Sequence, residues 1–128
     1  MMSDSPEKGL PSFADGMFDR LSEKYSEFSG LYLYDHSFDG HNKIWIAVEL
    51  EFQNGKKNLI RMWGAHDTML TSKSETLSSG ALEKMIIRKM KEGYQPYHDT
   101  MGSKRGIQYE QQIEAVIDSA LEQIEIKF

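Results

Sequence analysis

Asp35, Ser37 and Asp39 place oxygen-bearing side chains at alternate positions ahead of Gly40, as the first half of a helix-flanked calcium loop does. Such a loop needs a bidentate glutamate further on, where this chain has Ile46, and its flanks alternate as strands do. The stretch therefore reads as an Asp/Gly turn between strands rather than a calcium site. The four histidines, His36, His41, His66 and His98, are scattered, and no pair has the i, i+4 spacing of a helical zinc motif. No nucleophile elbow, phosphate loop or acid pair is legible, so the chain is read as non-catalytic, with no metal or cofactor. Gly102, Ser103, Lys104, Arg105 and Gly106, just ahead of a helix, have the composition of an anion-holding loop, but the reading favoured here is a surface loop with incidental charge.

The elements that must carry these residues follow from periodicity. Residues 1–11 mix Ser, Pro, Gly and charge with little to bury, and read as a mobile arm. A capping-type start at Ser12 and Asp15 precedes Phe13, Met17, Leu21, Tyr25 and Phe28 on one helical face, with Gly30 as the stop. Asp15, Asp19, Glu23 and Glu27 form an acidic row on that helix. Leu31 and Leu33, then Ile44, Ile46, Val48, Leu50 and Phe52, alternate as half-buried strands do. Asn54-Gly55 predicts a type I′ hairpin pairing 43–52 with 58–63, and a weaker alternation over 70–77 adds a further strand, four in all. Ser78 or Ser79 caps a second helix carrying Ala81, Leu82, Met85, Ile86 and Met90, ended by Gly93 with Tyr94 folded back on it. A loop over 99–106 leads to a third helix with the apolar stripe Tyr109, Ile113, Val116, Ile117, Ala120, Leu121 and Ile124. The expected fold is α+β, with residues 12–128 as one domain: an antiparallel sheet built on a long hairpin, packed with one N-terminal and two C-terminal helices.

Composition bounds the function class. A chain of 128 residues suits one core, and an aromatic fraction of 11% argues against disorder. The absence of cysteine, of an export signal and of a long apolar run points to a reducing, cytoplasmic setting without a membrane role. The net charge of −5 is unevenly spread. Residues 1–53 hold 4 basic and 10 acidic side chains, residues 54–105 hold 10 and 5, and residues 106–128 hold 1 and 5. The middle is basic and its flanks acidic, which allows a phosphate-facing surface or merely solvated charge.

Asn42-Lys43-Ile44-Trp45 opens a long strand, a hairpin leads to Arg61-Met62-Trp63-Gly64, and a helix with Ala81 near its start closes on Lys91-Glu92-Gly93-Tyr94. Over about residues 42–97 this order resembles the WGR domain. WGR domains occur in poly(ADP-ribose) polymerases, where the motif Trp and Arg help to engage a DNA end and neighbouring domains, and in bacterial proteins. The resemblance implies a nucleic-acid-associated module with Trp63 in the contact. The motif's Arg is replaced by Ala65, which has neither charge nor donors. Arg61, two residues earlier on the same strand face, can substitute in part, and Lys56, Lys57, Lys73, Arg88 and Lys89 extend a basic patch. The alternative for Trp63 is a core aromatic. Two functions follow: a WGR-like module, monomeric or homodimeric, of a small bacterial or phage protein that contacts DNA, RNA or a nucleic-acid-processing protein, or an acidic adaptor or inhibitor of mobile-element origin that uses the first and third helices against a protein.

Overall fold

The computed structural model describes residues 12–100 and 102–127, with side chains for residues 13–100 and 102–123. The arm read over residues 1–11 and the side chain of Ile124 lie outside the described residues. The elements run α1 (Ser12–Lys24), β1 (Phe28–His36), β2 (Lys43–Glu51), β3 (Lys57–Ala65), β4 (Thr71–Thr76), α2 (Ala81–Lys91), β5 (Gln95–Pro96) and α3 (Lys104–Lys127). The strands form one antiparallel sheet of order β4-β3-β2-β1-β5, so the fold is α+β. The fifth strand, two residues at a proline, was not expected from the sequence.

Alternation on β2 sorts the molecule into three layers. Ile44, Ile46, Val48 and Leu50 face one way, with Leu31, Leu33, Ile60 and Met62 beside them, and α1 and α3 cover this face through Phe13, Met17, Leu21, Tyr109, Ile113 and Ile117. Trp45, Ala47 and Leu59 face the other way, under Leu82 of α2. The first face is the larger core: Tyr109, Ile113, Ile117 and Ala120 of the α3 stripe are buried and Val116 and Leu121 half-buried, whereas on the other face Leu82 of α2 is buried, Met85 and Ile86 are half-buried and Met90 is exposed. Phe52, expected in the core, is half-buried where the strand has already ended.

Polar contacts lock α1 to α3. Arg20 donates to both carboxylate oxygens of Glu110 at 2.9 Å and 2.6 Å, and the Tyr25 hydroxyl donates to Asp118 at 2.7 Å. The helix α1 stops at Lys24 rather than at Gly30, because Phe28 and Gly30 are already paired in β1, opposite Leu50 and Glu49. A Cβ on Gly30 would crowd the Glu49 side chain, 2.9 Å from its carboxylate and 3.1 Å from its Cβ, so Gly30 sits in a tight spot within the sheet and does not terminate the helix.

The hairpin pairs as expected, with Lys43 opposite Ala65 through Glu51 opposite Lys57, but its turn is different. Only Gly55 has a positive φ, 84°, and Asn54 does not. The Gly55 N–H bonds the Phe52 carbonyl and the Phe52 N–H bonds the Lys56 carbonyl, both at 2.9 Å. This is a three-residue type I turn closed by a glycine bulge, and Asn54 acts by accepting the Lys56 N–H on its side chain at 2.9 Å.

Neither Ser78 nor Ser79 caps α2: the cap is Gly80, with no side-chain hydrogen bond. At the other end the N–H groups of Gly93 and Tyr94 bond the carbonyls of Met90 and Lys89, a Schellman closure that needs Gly93 at φ 108°. A Cβ at Gly93 would also meet the His36 ring at 3.0 Å. Gly93→Ala is expected to lower the unfolding free energy by about 1–2 kcal/mol, read as a shift in denaturation midpoint with an unchanged slope.

Candidate nucleic-acid interface

Trp45 and Trp63 are cross-strand partners on the α2 side of the sheet, yet they differ in environment. Trp45 is 2% exposed beneath α2, whereas Trp63 is 37% exposed, because the cluster around Leu82 of α2 covers Trp45, Ala47 and Leu59 and does not include Trp63. Trp63 is therefore not the core aromatic that the alternative reading allowed. It lies in a groove of about 500 Å³ whose lining includes His41, Asn42, Lys43, Lys89, Glu92 and Tyr94, with Ala65 beside it. His36 stacks on His41 at 4.0 Å between ring centres at the rim.

Arg61 lies across from Lys73 and on the same face as Trp63. Its guanidinium sits 5.8 Å from the Trp63 ring and pairs with Glu75 at 2.7 Å. Half-buried and neutralised, Arg61 props the indole rather than reaching outward. Lys73 is exposed beside it and has no acidic partner among the described residues. Lys89 reaches Glu92 at 3.4 Å and lies 5.1 Å from the Tyr94 ring.

The structure thus gathers Arg61, Trp63 and Lys73 on one face and Lys89 at the groove beside them. Arg88 is exposed on α2. Lys56 and Lys57 do not join the groove: they lie at the hairpin, the far end of β3, where Lys57 pairs with Glu49 at 3.3 Å. Lys43, His41 and Asn42 were missed as groove residues, although Asn42 and Lys43 stand in the motif that opens the strand.

The segment 99–106 is not an open loop. The helix α3 begins at Lys104, with the Ser103 hydroxyl accepting the Gly106 N–H at 3.0 Å. Arg105 donates to both carboxylate oxygens of Asp67 at 2.9 Å and 2.6 Å, so its charge is spent on fastening the β3–β4 turn. Gln112 continues that fastening by accepting the Leu70 N–H and donating to the Thr68 carbonyl. Asp99 receives hydrogen bonds from Tyr97, Ser103 and the Thr100 N–H. Burial alone would raise its carboxyl, but those donors outweigh burial and hold it below the usual range.

A second cluster escaped the sequence reading. The side chain of His66 is fully buried, its Nε2 3.1 Å from Asp35 and its Nδ1 bonded to the Tyr109 hydroxyl. A carboxylate only accepts, so Nε2 carries a proton; in the neutral ring Nδ1 is then the acceptor for the Tyr109 hydroxyl. Burial pushes the Tyr109 phenol up to about 12, which keeps that donor protonated. Asp35 also accepts from Ser37 at 2.6 Å. Asp35, which had suggested a calcium loop, instead joins β1 to the end of β3 and to α3. Among the described residues no group of three or more metal-ligating side chains converges.

Compared with protein-family models, with curated proteins and with solved structures, the chain finds no match. No helix among the described residues is long and apolar enough to cross a membrane.

Proposed function

We propose that the chain is a non-catalytic module that contacts nucleic acid through the Trp63 groove, with the exposed indole stacking on an unpaired base and nearby cations meeting phosphates. The observation that carries this reading is the division of charge across the sheet. The helix α2 bears Lys84, Arg88, Lys89 and Lys91, and lies on the same side as Trp63, Lys43 and Lys73. The acidic helices α1 and α3 lie on the opposite side. Their outer faces stand about one helix diameter, roughly 10 Å, behind the sheet, and exposed charges are largely screened beyond about 10 Å at 0.1 M salt. The net charge of −5 therefore opposes an approach from the α2 side much less than its magnitude suggests. The acidic-adaptor reading is weakened because Glu110, Glu114 and Asp118 of α3 are engaged by Arg20, Lys24 and Tyr25 of α1.

The test is equilibrium binding to single-stranded and duplex DNA and RNA over a salt series. Three contributing cations, Lys43, Lys73 and Lys89, set a slope of log affinity against log salt of about −2 for single strands. Lys43→Ala and Lys89→Ala should each flatten it by about 0.7 without loss of stability. Ala65→Arg, at the groove wall, should tighten binding. No binding at low salt, or binding indifferent to these changes, overturns the reading in favour of a protein partner.

A further inference from the structure

The two edges of the sheet are managed differently. On the β1 side, β5 with its Pro96 pairs with Tyr34 and Asp35, and the Tyr97 N–H bonds the Leu33 carbonyl, so that part of the edge is taken. On the other side β4 runs Thr71–Thr76 without proline, glycine or bulge, and no described residue pairs with its outer edge. Five of its six residues are exposed, and Glu75 is half-buried. A run of this length with free main-chain groups is a template for another strand. Lysine on an edge is also a device that keeps other strands away, so whether Lys73 repels or attracts depends on what would stand opposite it.

The hydrogen bonding fixes which groups are free. The Leu77 N–H bonds the Lys57 carbonyl at 2.9 Å. In an antiparallel ladder the main-chain groups of successive residues turn alternately to the two sides. With Lys73 opposite Arg61 and Glu75 opposite Leu59, residues Thr71, Lys73 and Glu75 thus turn toward β3, and Ser72, Ser74 and Thr76 turn outward.

A second copy of the chain can meet this edge about a two-fold axis perpendicular to the sheet. Three registers overlap most of the strand. Centred on Lys73, the axis sets lysine against lysine, and centred on Glu75 it sets glutamate against glutamate. Centred on Ser74, it sets Lys73 against Glu75 of the second copy, twice, on the α2 side of the sheet. That register also pairs Ser74 with Ser74 and Ser72 with Thr76, whose free groups would exchange about six hydrogen bonds. Lys73, without an acidic partner among the described residues, gains one there in Glu75 of the second copy, a carboxylate that Arg61 of that copy also holds. Met69, 85% exposed beside this edge, lies at the rim of the groove between β4 and α3, which the second copy would adjoin.

We infer that β4 is a self-complementary edge through which two copies of this chain join into one continuous sheet, with Ser74 at the two-fold axis. The proposal does not depend on nucleic-acid binding. Its test is the mass in solution of the full chain, by sedimentation equilibrium, with circular dichroism confirming that each variant is folded. The wild type should be a dimer. Lys73→Glu alone and Glu75→Lys alone should each raise the dimer dissociation constant roughly tenfold or more, since each sets like charges opposite one another twice. An equimolar mixture of the two variants should restore dimerisation, because each mixed pair is complementary again. Ser74→Pro should abolish it by removing the central N–H. A wild type that stays monomeric, a dimer indifferent to these changes, or a mixture that fails to recover overturns the proposal.

Discussion

Replacing His66 with alanine is expected to lower the unfolding free energy by about 3–5 kcal/mol. The imidazole is fully buried, so its removal leaves a cavity, and it also strips the Tyr109 hydroxyl and the Asp35 carboxylate of a partner. Tyr109→Phe should cost less, about 1–3 kcal/mol, because the ring still packs and only Nδ1 is orphaned. Since both changes break the same bond, the double variant should be less destabilised than the two single effects combined. Denaturant melts with a common slope give all three values. A His66→Ala protein within about 1 kcal/mol of wild type, less than one ordinary buried hydrogen bond with its cavity, would show that the cluster does not hold β3 to α3.

The two tryptophans should separate stability from binding. Trp45→Ala, at 2% exposure beneath α2, is expected to cost about 3–5 kcal/mol of stability. Trp63→Ala loses only a partly exposed ring, so stability should change by less than about 1 kcal/mol, while affinity for single-stranded nucleic acid falls by about 1–3 kcal/mol, some 5- to 150-fold. These are the only two tryptophans, so fluorescence assigns the result. Quenching on titration with an oligonucleotide should vanish in Trp63→Ala. If it persists, the indole is not in the contact.

The alternation of Ile44, Ile46, Val48, Leu50 and the α3 stripe was legible because burial on one face repeats at a fixed period, so local sequence carries it. The hairpin's position was legible from Asn54-Gly55, but its turn type was not. Asn-Gly serves both geometries, and the choice depends on where the flanking ladder closes. The strand β5 escaped because two residues have no period and are held by β1, some sixty residues earlier. The cluster of Asp35, His66 and Tyr109 escaped for a similar reason: its partners are 31 and 43 residues apart, and nothing local distinguishes a buried histidine from an exposed one. Of the predicted patch, Arg61 and Trp63 were legible together because strand parity places them, and Lys73 joins them through the β3–β4 register, which local sequence does not carry. Lys56 and Lys57 were misplaced because proximity along the chain was taken for proximity on the surface. The linear charge division was legible, but its meaning depended on which side of the sheet each helix packs.

The covering of one sheet face by both α1 and α3 bears on how the chain is made. The strands and α1 leave the ribosome first, and α3 is the latest of these elements to emerge. Until then the surface that receives Tyr109, Ile113 and Ile117 faces water, and Arg20 and Tyr25 lack the carboxylates that later engage them. A nascent chain stalled before α3 thus presents an apolar sheet face together with the open β4 edge, a combination that chaperones hold and that aggregates otherwise.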